Sequence, residues 1–140
     1  MKEIHILLVE DNEGDILLTT EALEEGRIIN KVSVVKDGKQ AIDFLNQKEA
    51  FHEASLPNLI LLDINLPKKN GHEVLKYIKA SKNFRHIPII MLTTSSSESD
   101  IIQAYNHYAN CFITKPVDVN EFMTAVAKIE NFWINIVQLP

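Results

Sequence analysis

The sequence predicts an α/β fold, a doubly wound five-stranded parallel sheet with helices on both faces. Five short apolar runs rich in β-favouring residues alternate with segments whose apolar residues recur at helical spacing. The runs are apolar almost without interruption, as in strands that are buried on both faces, and the connections between elements are short. Ligands of such sheets bind at the carboxyl ends of the strands, so functional residues are expected there.

The first two strand and helix units occupy residues 4–48. Strand one is predicted over residues 4–9, and the following helix has Ile16, Thr19, Ala22 and Leu23 at helical spacing, with Gly26 near its end. Strand two is predicted over 31–35 and helix two over 38–48.

Three more units complete the pattern. Strand three is predicted over 58–62, followed by a turn at 67–71 and a helix marked by Val74, Leu75 and Ile78. Pro88 introduces strand four. The remaining predicted elements are strand four at 89–92, helix four at 98–108, strand five at 111–113 and helix five at 118–132.

Composition indicates one ordinary globular domain. The chain has 140 residues, of which 46% are apolar and 24% charged. Its net charge of -5 disfavours DNA binding, because no basic stripe is available to pair with the phosphate backbone. Its longest apolar runs are shorter than a membrane span. A lone Cys111 and the lack of a secretory signal favour the cytoplasm. We expect a domain over residues 1–130 and an apolar extension over 131–140.

Chemically active side chains fall at the predicted strand ends. Carboxylates at the mouth of one sheet would repel one another unless a cation intervenes, and Mg²⁺ or Mn²⁺ suits a short list of oxygen ligands. Asp63 is then a candidate nucleophile for a phosphoryl group, with Lys115 and the Thr93 hydroxyl stabilising the phosphoryl oxygens. The residues are Glu10 and Asp11 after strand one, Asp63 after strand three, Thr93 after strand four and Lys115 after strand five.

In these residues the chain resembles the receiver domains of response regulators, the CheY-like proteins of two-component signalling. Their fold is flavodoxin-like, and the likeness spans most of the chain. The motifs that carry it are Val9-Glu10-Asp11-Asn12, Asp63-Ile64-Asn65-Leu66-Pro67 with Gly71, Met91-Leu92-Thr93-Thr94, and Phe112-Ile113-Thr114-Lys115-Pro116.

The resemblance implies a role for each matching residue. A histidine kinase would donate the phosphoryl group, and the added charge would change contacts with a downstream protein, without catalytic turnover. The implied roles are phosphoacceptor for Asp63, metal binding for Glu10 and Asp11 together with Asp63 and the Asn65 backbone carbonyl, phosphoryl contact for Lys115, switching for Thr93 and Phe112, and a cis peptide at Lys115–Pro116.

Two positions depart from the common pattern of the family. Phe112 lacks the hydroxyl of a tyrosine, so an inward rotamer gains packing but no hydrogen bond. Thr94 stands where the family often has a smaller residue. We expect its branched side chain to hinder an attacking water and to slow self-dephosphorylation, which Thr94→Ala should accelerate.

Simpler interpretations exist for the same residues. Glu10 and Asp11 could be acidic residues that complement the dipole at the start of a helix. Asp63 could cap a turn before Pro67, and Lys115 could be a solvated surface lysine. Two other functions remain open, namely a phosphate-insensitive pseudo-receiver scaffold and an aspartate-nucleophile phosphatase. The second requires a general acid two residues after the nucleophile, and Asn65 stands there.

The remaining features have structural interpretations. The five histidines lack zinc-site spacing, Cys111 suits a buried strand, and the serines at 95–99 suit a turn and helix cap.

The last nine residues contain six apolar side chains that require a surface. They could pack on their own domain, or they could form a homodimer or kinase contact, as could the face made by helix four, strand five and helix five. This apolar C-terminal segment resembles that of single-domain response regulators that partner bacterial phytochromes. The resemblance implies that the stimulus would be light.

Overall fold

The computed structural model describes residues 4–25, 30–93 and 111–127, and its strands form one parallel sheet. The strand order is β2-β1-β3-β4-β5, and every pairing is parallel. This arrangement confirms the predicted fold class. The strands are β1 (Ile4–Val9), β2 (Asn30–Val35), β3 (Leu59–Asp63), β4 (Ile89–Thr93) and β5 (Cys111–Thr114).

Helices cover both faces of this sheet. Phe44 of α2 and Leu75 of α3 pack in one buried cluster, whereas Leu23 of α1 and Phe122 of the last described helix pack in another on the opposite face. The helices are α1 (Glu13–Glu25), α2 (Gly38–Leu45), α3 (Gly71–Ala80) and the last described helix (Val119–Ala127), with a short 3-10 turn at Glu49–Phe51.

Helix two is shorter than predicted. The prediction over 38–48 is wrong at its end, because α2 stops at Leu45 and Asn46 turns its side-chain amide back onto the Ile42 carbonyl at 2.9 Å. Gln47 then adopts a positive φ of 56°, which no α-helix can continue. Predicted strand bounds differ from the observed bounds by at most one residue.

Several predictions fall outside the described residues. They concern helix four at 98–108, the helix end at Gly26, the last residues of helix five, Thr94, the serines at 95–99 and the segment 131–140. Within the described ranges, no helix combines the length and apolar character needed to cross a bilayer.

The start of α3 lies directly against the end of β3. The Gly71 amide donates a hydrogen bond to the Ile64 carbonyl at 2.8 Å. A Cβ at position 71 would lie only 2.7 Å from Ile64 Cα and still closer to the Asp63 carbonyl oxygen, so glycine permits this approach. Asn70 and Glu73 form a capping box that fixes the first turn of α3.

Candidate functional site

The strand register brings the predicted site residues to one edge of the sheet. Val9 pairs with Leu62, so Glu10 and Asp63 are level on neighbouring strands. Backbone hydrogen bonds extend this register beyond the strand ends. The Glu10 amide donates to the Val35 carbonyl at 3.0 Å, and the Lys115 amide donates to the Thr93 carbonyl at 2.7 Å.

Strand alternation sorts these side chains onto the two faces of the sheet. Leu8, Leu61 and Ile113 belong to the apolar cluster beneath α1 and the last described helix. Two residues further along each strand direction come Glu10, Asp63 and Lys115, which therefore lie on that same face. The three charged groups thus meet beside the first turn of α1.

Lys115 is the centre of the charge cluster. Its ammonium nitrogen lies 2.6 Å from Glu10 Oε1, 3.0 Å from Asp15 Oδ2 and 3.2 Å from Asp63 Oδ2. The lysine side chain is 7% exposed. Such short contacts in a buried site make Lys115 a fixed positive charge rather than a solvated lysine.

Backbone donors orient the two most buried carboxylates. The Asn65 amide donates to Asp63 Oδ1 at 3.1 Å, and the Asn12 amide donates to Glu10 Oε2 at 3.2 Å. Each carboxylate therefore has one oxygen held by a backbone amide and its other oxygen facing Lys115. The side chain of Asn65 itself is exposed.

Three carboxylates form a group that could hold a metal ion. Oxygen atoms of Glu10, Asp11 and Asp63 all lie within 4.8 Å of one another. Asp11 is exposed whereas the other two are buried, so one side of the group is open to water. An all-oxygen donor set with an open side fits Mg²⁺ or Mn²⁺, which keep part of their hydration shell.

Electrostatics at Glu10 also favour a cation. Burial raises its pKa from 4.5 to about 7, the hydrogen bond from Lys115 opposes this rise, and the proximity of Asp63 adds to it. At Lys115, burial alone would lower the pKa, but hydrogen bonds to Glu10 and Asp15 and the charge of Asp63 outweigh burial and hold it above its usual value. Lys115 therefore stays protonated at neutral pH.

Thr93 and Phe112 occupy the opposite face from the carboxylates. Thr93 is buried at the end of β4, and the partly buried Phe112 packs against the apolar cluster beneath α2 and α3. Met91 pairs with Phe112 and Thr93 pairs with Thr114, which puts Thr93 and Phe112 on the same side of neighbouring strands. Their switching role stays a prediction.

Sequence reasoning missed Asp15 as a member of this cluster. It lies in the first turn of α1, five residues after Glu10, and its carboxylate contacts Lys115. An acidic residue in the first turn after an acidic strand end was the available signal. That signal is weak, because acidic residues also occur in a first helical turn merely to complement the helix dipole.

Other sequence-predicted features have plain structural positions. The Lys115–Pro116 peptide is cis, as the resemblance implied. Cys111 is buried in β5, as expected. His5 is a buried residue whose ring contacts Ser33 Oγ at 2.8 Å and Ser55 Oγ at 3.2 Å.

Comparison with known proteins agrees with this architecture. Residues 6–127 match the family described as the response regulator receiver domain. The response regulator Rcp1 of Synechocystis sp. is 42% identical over 135 residues, which cover 96% of this chain and 92% of that protein.

Two solved structures extend the comparison. The phosphorylated cyanobacterial phytochrome response regulator RcpA is 43% identical, with a TM-score of 0.80 and coverage of 99% of both chains. The Mn²⁺-bound form of Rcp1 is 42% identical, with a TM-score of 0.78 and coverage of 98% of this chain and 99% of that one. With its parallel sheet, its acidic strand ends and these matches, the chain belongs to the response regulator receiver domain family.

Proposed function

We propose that Asp63 is the phosphoacceptor of this response regulator and that Glu10, Asp11 and Lys115 prepare it for phosphoryl transfer. The observation that carries the proposal is the position of the Asp63 carboxylate. One of its oxygens lies 3.2 Å from Lys115 Nζ, and the carboxylates of Glu10 and Asp11 are within 4.8 Å. Glu10 meets the same lysine and belongs to the same carboxylate group, and the likeness of Asp63 to the phosphoacceptor of receiver domains favours Asp63 as the nucleophile.

The reaction requires one bond to form and one to break. An Asp63 carboxylate oxygen attacks phosphorus, the bond from phosphorus to the donor's leaving atom breaks, and an acyl phosphate results. The Asn65 amide holds Oδ1 of Asp63 and so orients the carboxylate for attack. Lys115, already 3.2 Å from Oδ2, is placed to pair with a phosphoryl oxygen.

A divalent cation would bind to Glu10, Asp11 and Asp63, with the Asn65 carbonyl as a further ligand. When bound, Mg²⁺ or Mn²⁺ would neutralise the charge that otherwise separates an anionic carboxylate from an anionic phosphodonor. The Mn²⁺-bound form of the relative Rcp1 supports this assignment. The buried Thr93, at the end of the adjacent strand, would turn from the opposite face to hydrogen-bond a phosphoryl oxygen on Asp63, and Phe112 would change rotamer as Thr93 moves.

The donor would be a sensor histidine kinase, and the names of relatives support a phytochrome as that kinase. RcpA is a phytochrome response regulator, and a further relative of known structure, 42% identical, is a bacteriophytochrome response regulator. Light would then be the stimulus. The chain would act in the cytoplasm without catalytic turnover, passing the signal to a downstream protein through contacts that depend on phosphorylation.

Residues 1–130 would form the receiver domain and residues 131–140 an apolar extension. The family match over residues 6–127 supports this division. A homodimer would use either the extension or the face of helix four, strand five and helix five. Deleting residues 131–140 and measuring the molecular mass in solution distinguishes these two surfaces, because only the first dimer would dissociate.

The phosphoacceptor assignment is tested by intact-mass spectrometry. The protein is incubated with Mg²⁺ and acetyl phosphate, and wild type is compared with Asp63→Asn. Asp43→Asn serves as the matched control, because Asp43 also forms an ion pair with a lysine but lies on α2. We expect one phosphoryl adduct on wild type and Asp43→Asn and none on Asp63→Asn.

Two results would overturn the assignment. Equal adducts on wild type and Asp63→Asn would place the phosphoryl group on another residue. No adduct on any protein, with Mg²⁺ binding intact by calorimetry, would favour the phosphate-insensitive scaffold.

A further inference from the structure

We propose that Asp15 is a positioning residue that holds Lys115 in place for phosphoryl transfer once a metal ion has bound. The inference rests on the proposed function of Asp63 and Lys115, and it assigns a role to a helix residue outside the metal-type carboxylate group.

Lys115 has three ammonium protons and three carboxylate neighbours. Its nitrogen donates hydrogen bonds to Glu10 at 2.6 Å and to Asp15 at 3.0 Å, and it forms an ion pair with Asp63 at 3.2 Å. An ammonium group donates at most three hydrogen bonds, so Glu10 and Asp15 use two of them and the third is left for a new acceptor, such as a phosphoryl oxygen on Asp63.

Two of the three carboxylates around Lys115 have a second use. Glu10 and Asp63 both belong to the group of carboxylates that could hold a cation, whereas Asp15 does not. A bound cation draws electron density from Glu10 and Asp63 and weakens their hold on Lys115. Asp63 also changes when it becomes an acyl phosphate. Of these three carboxylates, Asp15 is therefore the one that neither binds the metal nor becomes phosphorylated.

The position of Asp15 is itself well fixed. Its backbone amide donates to Asn12 Oδ1 at 2.9 Å, and the Ile16 amide donates to the Asn12 carbonyl at 2.9 Å. These bonds cap the first turn of α1, which only three residues separate from the end of β1. A carboxylate on such a turn can hold an ammonium group without a large entropic cost.

Asp15 is also suited to substitution. Its side chain is 26% exposed, whereas those of Glu10 and Asp63 are almost completely buried. An uncharged side chain at position 15 can therefore form hydrogen bonds with water. Asp15→Asn keeps the shape and one oxygen acceptor while removing the charge. Glu13→Gln is the matched control, since it removes the same charge from the same turn, where Glu13 pairs with Lys36 instead.

The experiment compares wild type, Asp15→Asn and Glu13→Gln by three measurements. Calorimetric titration of the metal-free proteins gives the Mg²⁺ dissociation constant. At saturating Mg²⁺, NMR of ¹⁵N-labelled lysine ammonium groups reports whether Lys115 is held, with Lys115→Arg identifying its signal, and intact mass over time gives the rate of phosphorylation by acetyl phosphate.

For Asp15→Asn we expect the Mg²⁺ dissociation constant to change by about twofold or less, the Lys115 ammonium signal to broaden or vanish, and the phosphorylation rate to fall about tenfold. Glu13→Gln should resemble wild type in all three. An unchanged ammonium signal in Asp15→Asn overturns the proposal, as does a rate equal to wild type. Should wild type accept no phosphoryl group at all, the proposed function fails, while the ammonium signal still decides whether Asp15 holds Lys115.

Discussion

Lys115→Met should destabilise the metal-free protein strongly, because it removes the positive charge shared by three carboxylates. Glu10 and Asp63 are at most 3% exposed, and each lies within 3.2 Å of the lysine nitrogen. Removing one partner from a buried ion pair costs about 3–5 kcal/mol. Glu10, whose pKa is already about 7, can relieve part of this cost by taking up a proton, so we expect about 3 kcal/mol at pH 8.

The measurement is urea unfolding followed by circular dichroism, with and without Mg²⁺. Lys39→Met is the control, since Lys39 forms an exposed pair with Asp43 and its loss should cost under about 1 kcal/mol. Mg²⁺ should stabilise Lys115→Met more than wild type, because a cation among the acids replaces the missing charge and binds more tightly without a competing ammonium.

Two results would refute this reasoning. A loss in Lys115→Met no larger than that in Lys39→Met would mean that the three contacts contribute little to stability. An equal gain from Mg²⁺ in wild type and Lys115→Met would mean that the cation does not bind where the lysine charge acts.

Two other predictions concern Glu10 and Gly71. The raised Glu10 pKa means that the folded protein binds a proton more tightly than the unfolded chain, so its contribution to stability is fully present below pH 4.5 and is lost as pH rises through about 7. Without metal, unfolding free energies measured from pH 5 to 8 should therefore fall less in Glu10→Gln than in wild type, and identical slopes would contradict this. Gly71→Ala should cost about 1–3 kcal/mol and slow phosphorylation, because the new methyl group pushes on the backbone of Asp63 and Ile64. Gly14→Ala, whose methyl group would meet only Asn12 Oδ1 at 3.2 Å, should leave stability unchanged or slightly higher, and equal losses in the two variants would refute the steric explanation.

The fold was predictable because its signals are local and repeated. Uninterrupted apolar runs such as residues 4–9 mark strands buried on both faces, and alternation with helices leaves few topologies. The edge of the sheet that holds Glu10, Asp63 and Lys115 follows directly, since parallel strands end on the same side. The end of α2 could not be predicted in this way. Asn46 ends the helix through a side-chain hydrogen bond to the Ile42 carbonyl, and the spacing of apolar residues carries no signal of such a bond.

The site was only partly predictable for a related reason. Strand ends place residues on an edge, but the partners of a given side chain depend on register and on the position of the neighbouring helix. Lys115 could be placed near the acids, yet its contact with Asp15 depends on where α1 lies against β5. Such contacts join residues 100 positions apart, and no local pattern in the sequence encodes them.

The lysine contacts also have a consequence for folding. Glu10 and Lys115 are separated by 105 positions, and β1 and β5 lie on either side of β3 and β4 in the sheet. Closing so long a loop is unfavourable until the intervening strands have paired. We therefore expect the cluster around Lys115 to form among the last events of folding. A chain that is still incomplete, or trapped with β5 undocked, has an Asp63 without its ammonium partner, and under the proposed function we expect it to accept a phosphoryl group more slowly.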